Sequence, residues 1–260
     1  MKRFSLVLLI SFVFFLACSK DTINEPVEVQ IDRTANLKNA GDSARDFLSS
    51  EKFKNLLIEI GYVKGFNPTQ ETINNFTAFL GERINKDKID FVFKELPSSG
   101  KDSLSIQEIV DLEKEHRSFY NDDDTLSLYI YFSDAPSSAD KPEEDLVTLG
   151  AVYRNTSMVI YEATIRNIAN KSILLSNTTV ETATLHHEAG HLFGLVDLGS
   201  PSVNDHADPE ADSHCNIDGC LMRAELEFGS GMRKMLTAKN GAIPNFGVEC
   251  LRDLKANGGK

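Results

Sequence analysis

Two histidines and a glutamate in the second half of the chain have a spacing that suits metal-dependent chemistry. The stretch His187-Glu188-Ala189-Gly190-His191 places the two histidines four residues apart. On a helix, residues four apart lie one turn above each other on the same face, so two imidazole nitrogens can bind one metal ion. The metal that this pair predicts is zinc. A zinc site that does chemistry keeps three protein ligands and leaves the fourth position to water, whose pKa falls to about 7 on the metal.

The glutamate between the histidines completes a hydrolytic pattern. Glu188 directly follows the first histidine, which places its carboxylate to take the proton of that water and to pass it to a leaving amine. The motif therefore predicts a zinc-dependent peptidase with Glu188 as general base. The alternative for the motif taken alone is a surface helix that carries two histidines by chance.

The helix that must position these residues is predicted from its two ends. Thr178-Thr179-Val180-Glu181 matches a capping box and is expected to start the helix, and Gly194 is expected to end it in a left-handed conformation. His186 points about 100° away from His187, so we expect a partly exposed structural residue there. The apolar stripe that faces the core is Leu185, Ala189 and Leu192.

Apolar periodicity predicts the elements before that helix. One helix is expected from Pro68 to about residue 85, and another from a capping box at Ser105 to about residue 119. A closing helix is expected within residues 244–255. The predicted strands are 54–63, 89–96, 126–133, 146–153 and 158–164. This order of elements predicts an α+β protein with a sheet of about five strands.

The chain begins with a segment typical of export. Lys2-Arg3 precedes an apolar run from Phe4 to Ala17, which is too short to span a bilayer well and has the layout of a secretory signal. The run ends in Phe15-Leu16-Ala17-Cys18, which resembles a bacterial lipobox, although Phe15 replaces the usual leucine. The resemblance implies removal of residues 1–17, lipid attachment at Cys18 and an exported protein anchored to the bacterial membrane, either periplasmic or at the cell surface.

Composition sets the remaining expectations. The 260 residues are 41% hydrophobic and 25% charged, which suits one good-sized core. Residues 18–42 are polar and unpatterned and are predicted to be a flexible tether, so that the folded domain spans 43–260. The net charge of -12, which becomes -14 without Lys2 and Arg3 (-12 - 2), gives no support to a nucleic-acid partner. We expect a monomer whose partners are a protein or peptide substrate and the membrane.

Three cysteines remain if Cys18 carries lipid, namely Cys215, Cys220 and Cys250. In an exported protein, one disulfide and one unpaired thiol is the simplest arrangement. Cys215 and Cys220 could close a short loop, or either of them could pair with Cys250. A structural zinc bound by these cysteines is the alternative.

From residue 187 to residue 222, the sequence resembles the metzincin zinc endopeptidases. Their motif is HExxHxxGxx followed by His or Asp, with a methionine turn beneath the metal, and His187, Glu188, His191 and Gly194 match it. Met222 is similar to the turn methionine. The resemblance implies a zincin domain with one catalytic zinc, a twisted mixed sheet packed on the active-site helix, an upper subdomain to about residue 196 and a small C-terminal subdomain over 214–260. Residues 148–153 are similar to the family's edge strand, which binds an extended peptide.

The third zinc ligand has three candidates. His214 lies eight residues before Met222, the spacing found in matrix metalloproteases, and its surroundings also look like the archaemetzincin pattern. Asp197 stands three residues after Gly194, where the family places its third ligand and where snapalysin-like enzymes have aspartate. His206 is the third candidate. His214 is favoured because a neutral imidazole leaves the zinc more positive than a carboxylate does.

The choice of His214 implies an insertion over residues 195–213. Its four clustered carboxylates could bind Ca²⁺, although a solvated acidic loop is the preferred interpretation; they are Asp205, Asp208, Glu210 and Asp212. Two functions compete with the endopeptidase. One is a noncatalytic, zinc-containing lipoprotein that binds ligands at the surface, and the other is a zinc hydrolase that acts on cell-wall peptides.

Overall fold

A mixed five-stranded sheet forms the centre of the protein. The computed structural model describes residues 32–260, and its sheet has the strand order β2-β1-β3-β5-β4. Strand β1 is parallel to β2 and β3, β3 is parallel to β5, and β4 is antiparallel to β5 at one edge. The strands are β1 (Asn55–Val63), β2 (Lys88–Leu96), β3 (Thr125–Phe132), β4 (Gly150–Arg154) and β5 (Ser157–Ile160).

Seven α-helices, three short 3-10 helices and a short two-stranded sheet complete the described part of the chain. The short sheet pairs β6 (Ala207–Asp208) with β7 (Ala211–Cys215). None of the helices within residues 32–260 combines the length and the apolar character needed to cross a membrane. The helices are α1 (Ala44–Leu48), α2 (Gln70–Arg83), α3 (Ile106–His116), α4 (Glu162–Asn170), α5 (Asn177–Leu192), α6 (Gly229–Ala238) and α7 (Val248–Ala256).

Both faces of the central strands are covered, which explains their nearly continuous apolar sequences. The larger core packs α2 and α5 against one face, and its sheet residues include Ile58, Ile60, Leu128 and Ile130. A smaller core on the other face contains Tyr129 and Tyr131, together with Ile109 of α3. The sequence predicted β1, β2, β3, α2 and α7 with small errors at their ends, and the capping box of Ser105 and Glu108 is confirmed.

The start of α5 was predicted at the wrong residues. Ser176, rather than Thr178, caps the helix by accepting a hydrogen bond from the Thr179 N–H over 3.1 Å. Glu181 is buried and accepts hydrogen bonds from α2 instead, from the Thr69 N–H and the Thr72 hydroxyl. A buried carboxylate needs such partners, and only the approach of α2 supplies them. Gly194 has φ +70°, as predicted for the end of this helix.

Other boundaries also differ from the predictions. The strand expected over 158–164 ends at Ile160, because α4 starts at Glu162, and the preceding strand starts at Gly150 rather than at 146. Helices α4 and α6 were not predicted. The expected tether ends earlier than residue 42, because Asn36 is buried and its amide donates to the Asn121 side chain over 2.8 Å. The predicted signal and Cys18 lie outside the described residues.

Candidate metal centre

Three histidine rings converge at the C-terminal half of α5. His187 and His191 lie one turn apart on this helix, and His214 reaches them from β7, so that one ring nitrogen of each lies within 4.8 Å of the others. The Nε2 atoms of His187 and His191 are 3.3 Å apart. Two nitrogens that each lie 2.0–2.1 Å from a tetrahedral zinc ion are about 3.3–3.4 Å apart. This pair therefore already has the spacing of two ligands on one metal.

Backbone carbonyls fix the orientation of two of the rings. His187 Nδ1 lies 2.7 Å from the Leu221 carbonyl oxygen, and His214 Nδ1 lies 2.8 Å from that of Asp212. A carbonyl only accepts hydrogen bonds, so each Nδ1 carries the hydrogen and each Nε2 keeps its lone pair. Metal-bound histidines are commonly oriented in this way.

The rings are buried and held in the neutral form that binds metals. Burial is the main cause that lowers the pKa of His187 to about 4, and burial followed by the charge of His187 lowers the pKa of His191 well below its usual range. Two buried ring nitrogens, His191 Nδ1 and His214 Nε2, have no hydrogen-bond partner in the described part of the chain. An orphaned His214 Nε2 that faces the other two rings fits a metal ligand.

Glu188 lies between the histidines and the edge of the sheet. Its side chain is buried, and burial, followed by the charge of Glu227, raises its pKa well above the usual range. A Cβ atom on Gly150 of β4 would lie only 2.9 Å from Glu188 Oε1. The glycine at the start of β4 therefore gives this carboxylate room beside the edge strand.

The turn that contains Met222 packs against α5 and is hydrogen-bonded to β7. A Cβ atom on Gly190 of α5 would lie 2.2 Å from Met222 Sδ, so the absence of a side chain at residue 190 lets the methionine sulfur pack directly against the helix. The carbonyl of Met222 also accepts a hydrogen bond from the Cys215 N–H over 2.7 Å. The turn thereby connects the helix that carries His187 with the strand that carries His214.

Two other predicted residues lie away from the three histidines. Asp197 is exposed, and its Oδ1 accepts a hydrogen bond from the Ser202 N–H over 3.1 Å. His206 is buried, and its Nε2 lies 2.7 Å from Asp253 Oδ2 on α7.

The expectation that His186 is partly exposed is wrong. Its ring is buried and stacks on Phe79 of α2, with the ring centroids 3.8 Å apart. Helical geometry gives the direction of the side chain but not the element that covers it.

A second group of metal-binding side chains lies on the other side of β7. Ligand atoms of His206, Cys215 and Cys250 lie within 4.8 Å of one another, and Cys220 Sγ is 3.6 Å from Cys250 Sγ. All four side chains are buried, and the three thiols are not joined by disulfides. We call His206, Cys215, Cys220 and Cys250 the cysteine cluster, and His187, His191 and His214 the histidine cluster.

Backbone N–H groups point at the sulfurs of the cysteine cluster. Cys220 Sγ accepts from the N–H groups of Gly247 (3.1 Å) and Met222 (3.4 Å), and Cys215 Sγ accepts from that of Ile217 (3.4 Å). Hydrogen bonds from the other two thiols, followed by those from the Gly247 and Met222 N–H groups, lower the pKa of Cys220 far below its usual range. Three sulfurs and an imidazole that is oriented by a carboxylate are the donor set of a structural zinc site.

Some of these residues were not found in the sequence. His206 was considered only for the catalytic metal, and Glu227, whose Oε2 lies 3.5 Å from His214 Nε2, was not considered at all. No regular spacing relates either residue to its neighbours in space.

Within residues 32–260, the carboxylates of the 195–213 segment form no group with metal-ligand spacing, and nothing in the structure supports a calcium site there.

Comparisons with known proteins place the fold. No protein-family profile matches the chain, and a search of curated proteins finds no match. Among solved structures, an archaemetzincin from Methanopyrus kandleri is similar, with a TM-score of 0.50 and 17% sequence identity. The similarity covers 78% of this chain and 96% of that chain. At this identity it concerns the fold, and it agrees with the predicted mixed sheet of five strands.

Proposed function

We propose that this protein is a zinc-dependent endopeptidase of the metzincin type. The observation that carries the proposal is the convergence of three buried imidazoles beside a buried glutamate, on a fold similar to that of an archaemetzincin. The proposed ligands are His187, His191 and His214. Asp197 and His206 are not proposed, because the first is exposed and the second belongs to the cysteine cluster.

Each residue of the proposed site has a defined task. A zinc ion held by the three histidines would supply Lewis-acid chemistry, which acidifies water and polarises a peptide carbonyl group. Glu188 takes the proton of the attacking water and passes it to the leaving amine. The low polarity around this buried carboxylate raises its affinity for the proton. Leu221 and Asp212 hold the rings of His187 and His214 in the metal-binding tautomer through their carbonyls.

Strand β4 is the proposed binding surface for the substrate. It pairs only with β5 among the described strands, so the backbone groups along its other edge can pair with an extended peptide. Gly150 at its start contacts Glu188, which brings the scissile bond of such a peptide near the general base. Backbone pairing explains affinity for peptides in general and does not specify a sequence.

The cysteine cluster is proposed to hold a second, structural metal ion. Four soft or imidazole donors leave no position for water, and such closed zinc sites stabilise folds. This proposal replaces the expectation of a disulfide, because His206, Cys215 and Cys250 have metal-ligand spacing and Cys220 Sγ lies 3.6 Å from Cys250 Sγ. The export of the protein and its lipid anchor at Cys18 are proposals that depend on the sequence alone.

The test is cleavage of a broad peptide library with and without a chelator. We expect chelator-sensitive cleavage by the wild type and no cleavage by Glu188→Ala, although this variant should retain its zinc. The control is Glu225→Ala, which removes an exposed carboxylate. Glu181→Ala is not used as a control, because it would remove contacts to α2. Cleavage confined to cell-wall peptides would favour a zinc hydrolase that acts on the cell wall. No cleavage at all would favour the noncatalytic lipoprotein.

A further inference from the structure

Glu227 lies beside the histidine cluster without a role in the proposed mechanism. It directly follows the short 3-10 helix Ala224–Leu226, and its Oε2 is 3.5 Å from His214 Nε2. Its backbone is fixed, since its carbonyl accepts from the Leu149 N–H over 3.2 Å and Gly229 donates to the Val147 carbonyl over 2.8 Å. These bonds hold Glu227 next to the segment that leads into β4.

The contact between Glu227 and His214 brings together two groups that both accept. Nδ1 of His214 carries the ring hydrogen, because it faces the Asp212 carbonyl, so Nε2 offers only a lone pair. A carboxylate oxygen that faces this lone pair at 3.5 Å is favourable only if a proton or a metal ion lies between them. Because His214 Nε2 makes no hydrogen bond in the described part of the chain, the contact points to a metal ion. A nitrogen and an oxygen bound to one tetrahedral zinc ion are about 3.3–3.5 Å apart, which matches this distance.

Glu227 is nevertheless not a full member of the histidine cluster. The group whose ligand atoms all lie within 4.8 Å of one another contains the three histidines and not Glu227. The Glu227 side chain is 34% exposed, so part of it is not confined by protein neighbours. The structure therefore places a partly exposed carboxylate on a fixed backbone, 3.5 Å from one of the three clustered histidine nitrogens.

We propose that Glu227 is an exchangeable fourth ligand of the metal that His187, His191 and His214 hold. When its carboxylate binds, it fills the position that water needs, and the site is closed. When it leaves as the free anion, water or a substrate oxygen takes the position, and the site is open. The inference rests on the proposed function only in that the histidine cluster must hold a metal, and it does not require peptide cleavage.

The test uses the full chain loaded with Co²⁺, whose visible absorption reports the ligands of the metal, and acetohydroxamate as a probe of the open position. Glu227→Gln should change the visible bands and bind acetohydroxamate about tenfold more tightly, if the closed form makes up about nine-tenths of the wild type. Glu227→Asp, with a shorter side chain, should behave in the same way. The matched control is Glu225→Gln, two residues away, whose carboxylate contacts Arg223 over 2.9 Å instead.

Each outcome decides the proposal. Absorption from the cysteine cluster is common to all variants and cancels in difference spectra. Unchanged spectra and acetohydroxamate affinity in both Glu227 variants would overturn the proposal, and so would loss of cobalt from the histidine cluster, which would make Glu227 a permanent ligand. If the expected spectra appear but no peptide is cleaved, the endopeptidase assignment fails while the exchangeable ligand stands.

Discussion

The histidine cluster and the cysteine cluster share one strand but differ in what they can do. His214 and Cys215 are neighbours on β7, and successive side chains of a strand point to opposite sides. His214 therefore turns towards α5, whereas Cys215 turns towards α7. One short strand supplies a donor to each cluster, so a change at one cluster that displaces β7 also moves a donor of the other.

The donors explain the difference in function. Three neutral imidazoles leave a zinc ion with its full positive charge and an open position, next to the carboxylates of Glu188 and Glu227. Three thiolates and an imidazole would fill the coordination sphere and more than neutralise the charge of the ion, and the backbone N–H groups around them stabilise the sulfurs. In the proposed function, the open, cationic site therefore carries the chemistry, and the closed site holds the C-terminal segment in place.

Removal of a histidine ligand should give the largest effect. His214→Ala leaves two imidazoles, so zinc retention at the histidine cluster should fall by more than the 10–100-fold that loss of an orienting partner costs, and peptidase activity should disappear. Metal analysis and the peptide assay measure both. Asp197→Ala is the control, and its exposed side chain predicts no change; loss of zinc in this variant would instead make Asp197 the ligand.

Removal of a cysteine should act first on stability. Cys220→Ser replaces a buried sulfur that contacts Cys250 and two backbone N–H groups, so we expect a loss of several kcal/mol, because structural zinc binding is coupled to folding. Thermal unfolding with and without a chelator measures it. The chelator should lower the midpoint of the wild type much more than that of the variant. Equal shifts in the two proteins would contradict a structural metal at this cluster.

Asp253→Asn should lower metal affinity at the cysteine cluster without affecting the histidine cluster. The Asp253 carboxylate orients His206 and accepts from the Val203 N–H over 2.7 Å, and asparagine keeps one oxygen but loses the charge. Affinity for the second metal should fall about 10–100-fold, while the first metal and the activity per folded molecule stay unchanged. Competition with chelators of graded affinity measures the two sites; an equal loss at both would show that they are one unit.

The smallest expected effect is on the pH dependence of stability, and it comes from a titrating group outside both clusters, Glu162. Metal sites lose stability as pH falls, because protons compete for the donors. Glu162 acts in the opposite direction: burial, followed by the charge of Glu181, raises its pKa from 4.5 to about 8. The folded state then holds a proton that the unfolded chain releases, so this contribution is complete below about pH 4.5 and is lost as pH rises through about 8.

Glu162→Gln should remove that loss. Between pH 5 and 7, the wild type should lose about 2–3 kcal/mol of free energy of unfolding through this group, and the variant should not. Urea denaturation of the metal-loaded protein measures the difference. Glu162 also pairs with Arg166 on the same helix, so Arg166→Gln is the control for loss of that contact. An unchanged pH dependence in Glu162→Gln would assign the slope to the metal clusters alone.

Much of the fold could be predicted because local patterns are reliable for long elements. Apolar alternation found β3, and the capping box at Ser105 found α3. The predictions failed where tertiary contacts override local signals. Glu181 satisfies the capping-box pattern, but it bonds to α2 and leaves the cap to Ser176. The short helices α4 and α6 depend on burial against neighbouring elements, which a periodic pattern over so few residues does not reveal.

The sequence by itself determined that His187 and His191 share a helix face with Glu188 beside them, because the period of an α-helix fixes the directions of residues four apart. It also limited the third ligand to His214, Asp197 or His206. Only the tertiary structure decided which of these lies beside the pair, and it brought His206 to the cysteines and Glu227 to His214. Contacts between residues far apart in the chain depend on how β7, the Met222 turn and α7 pack together, and no spacing in the sequence encodes that arrangement.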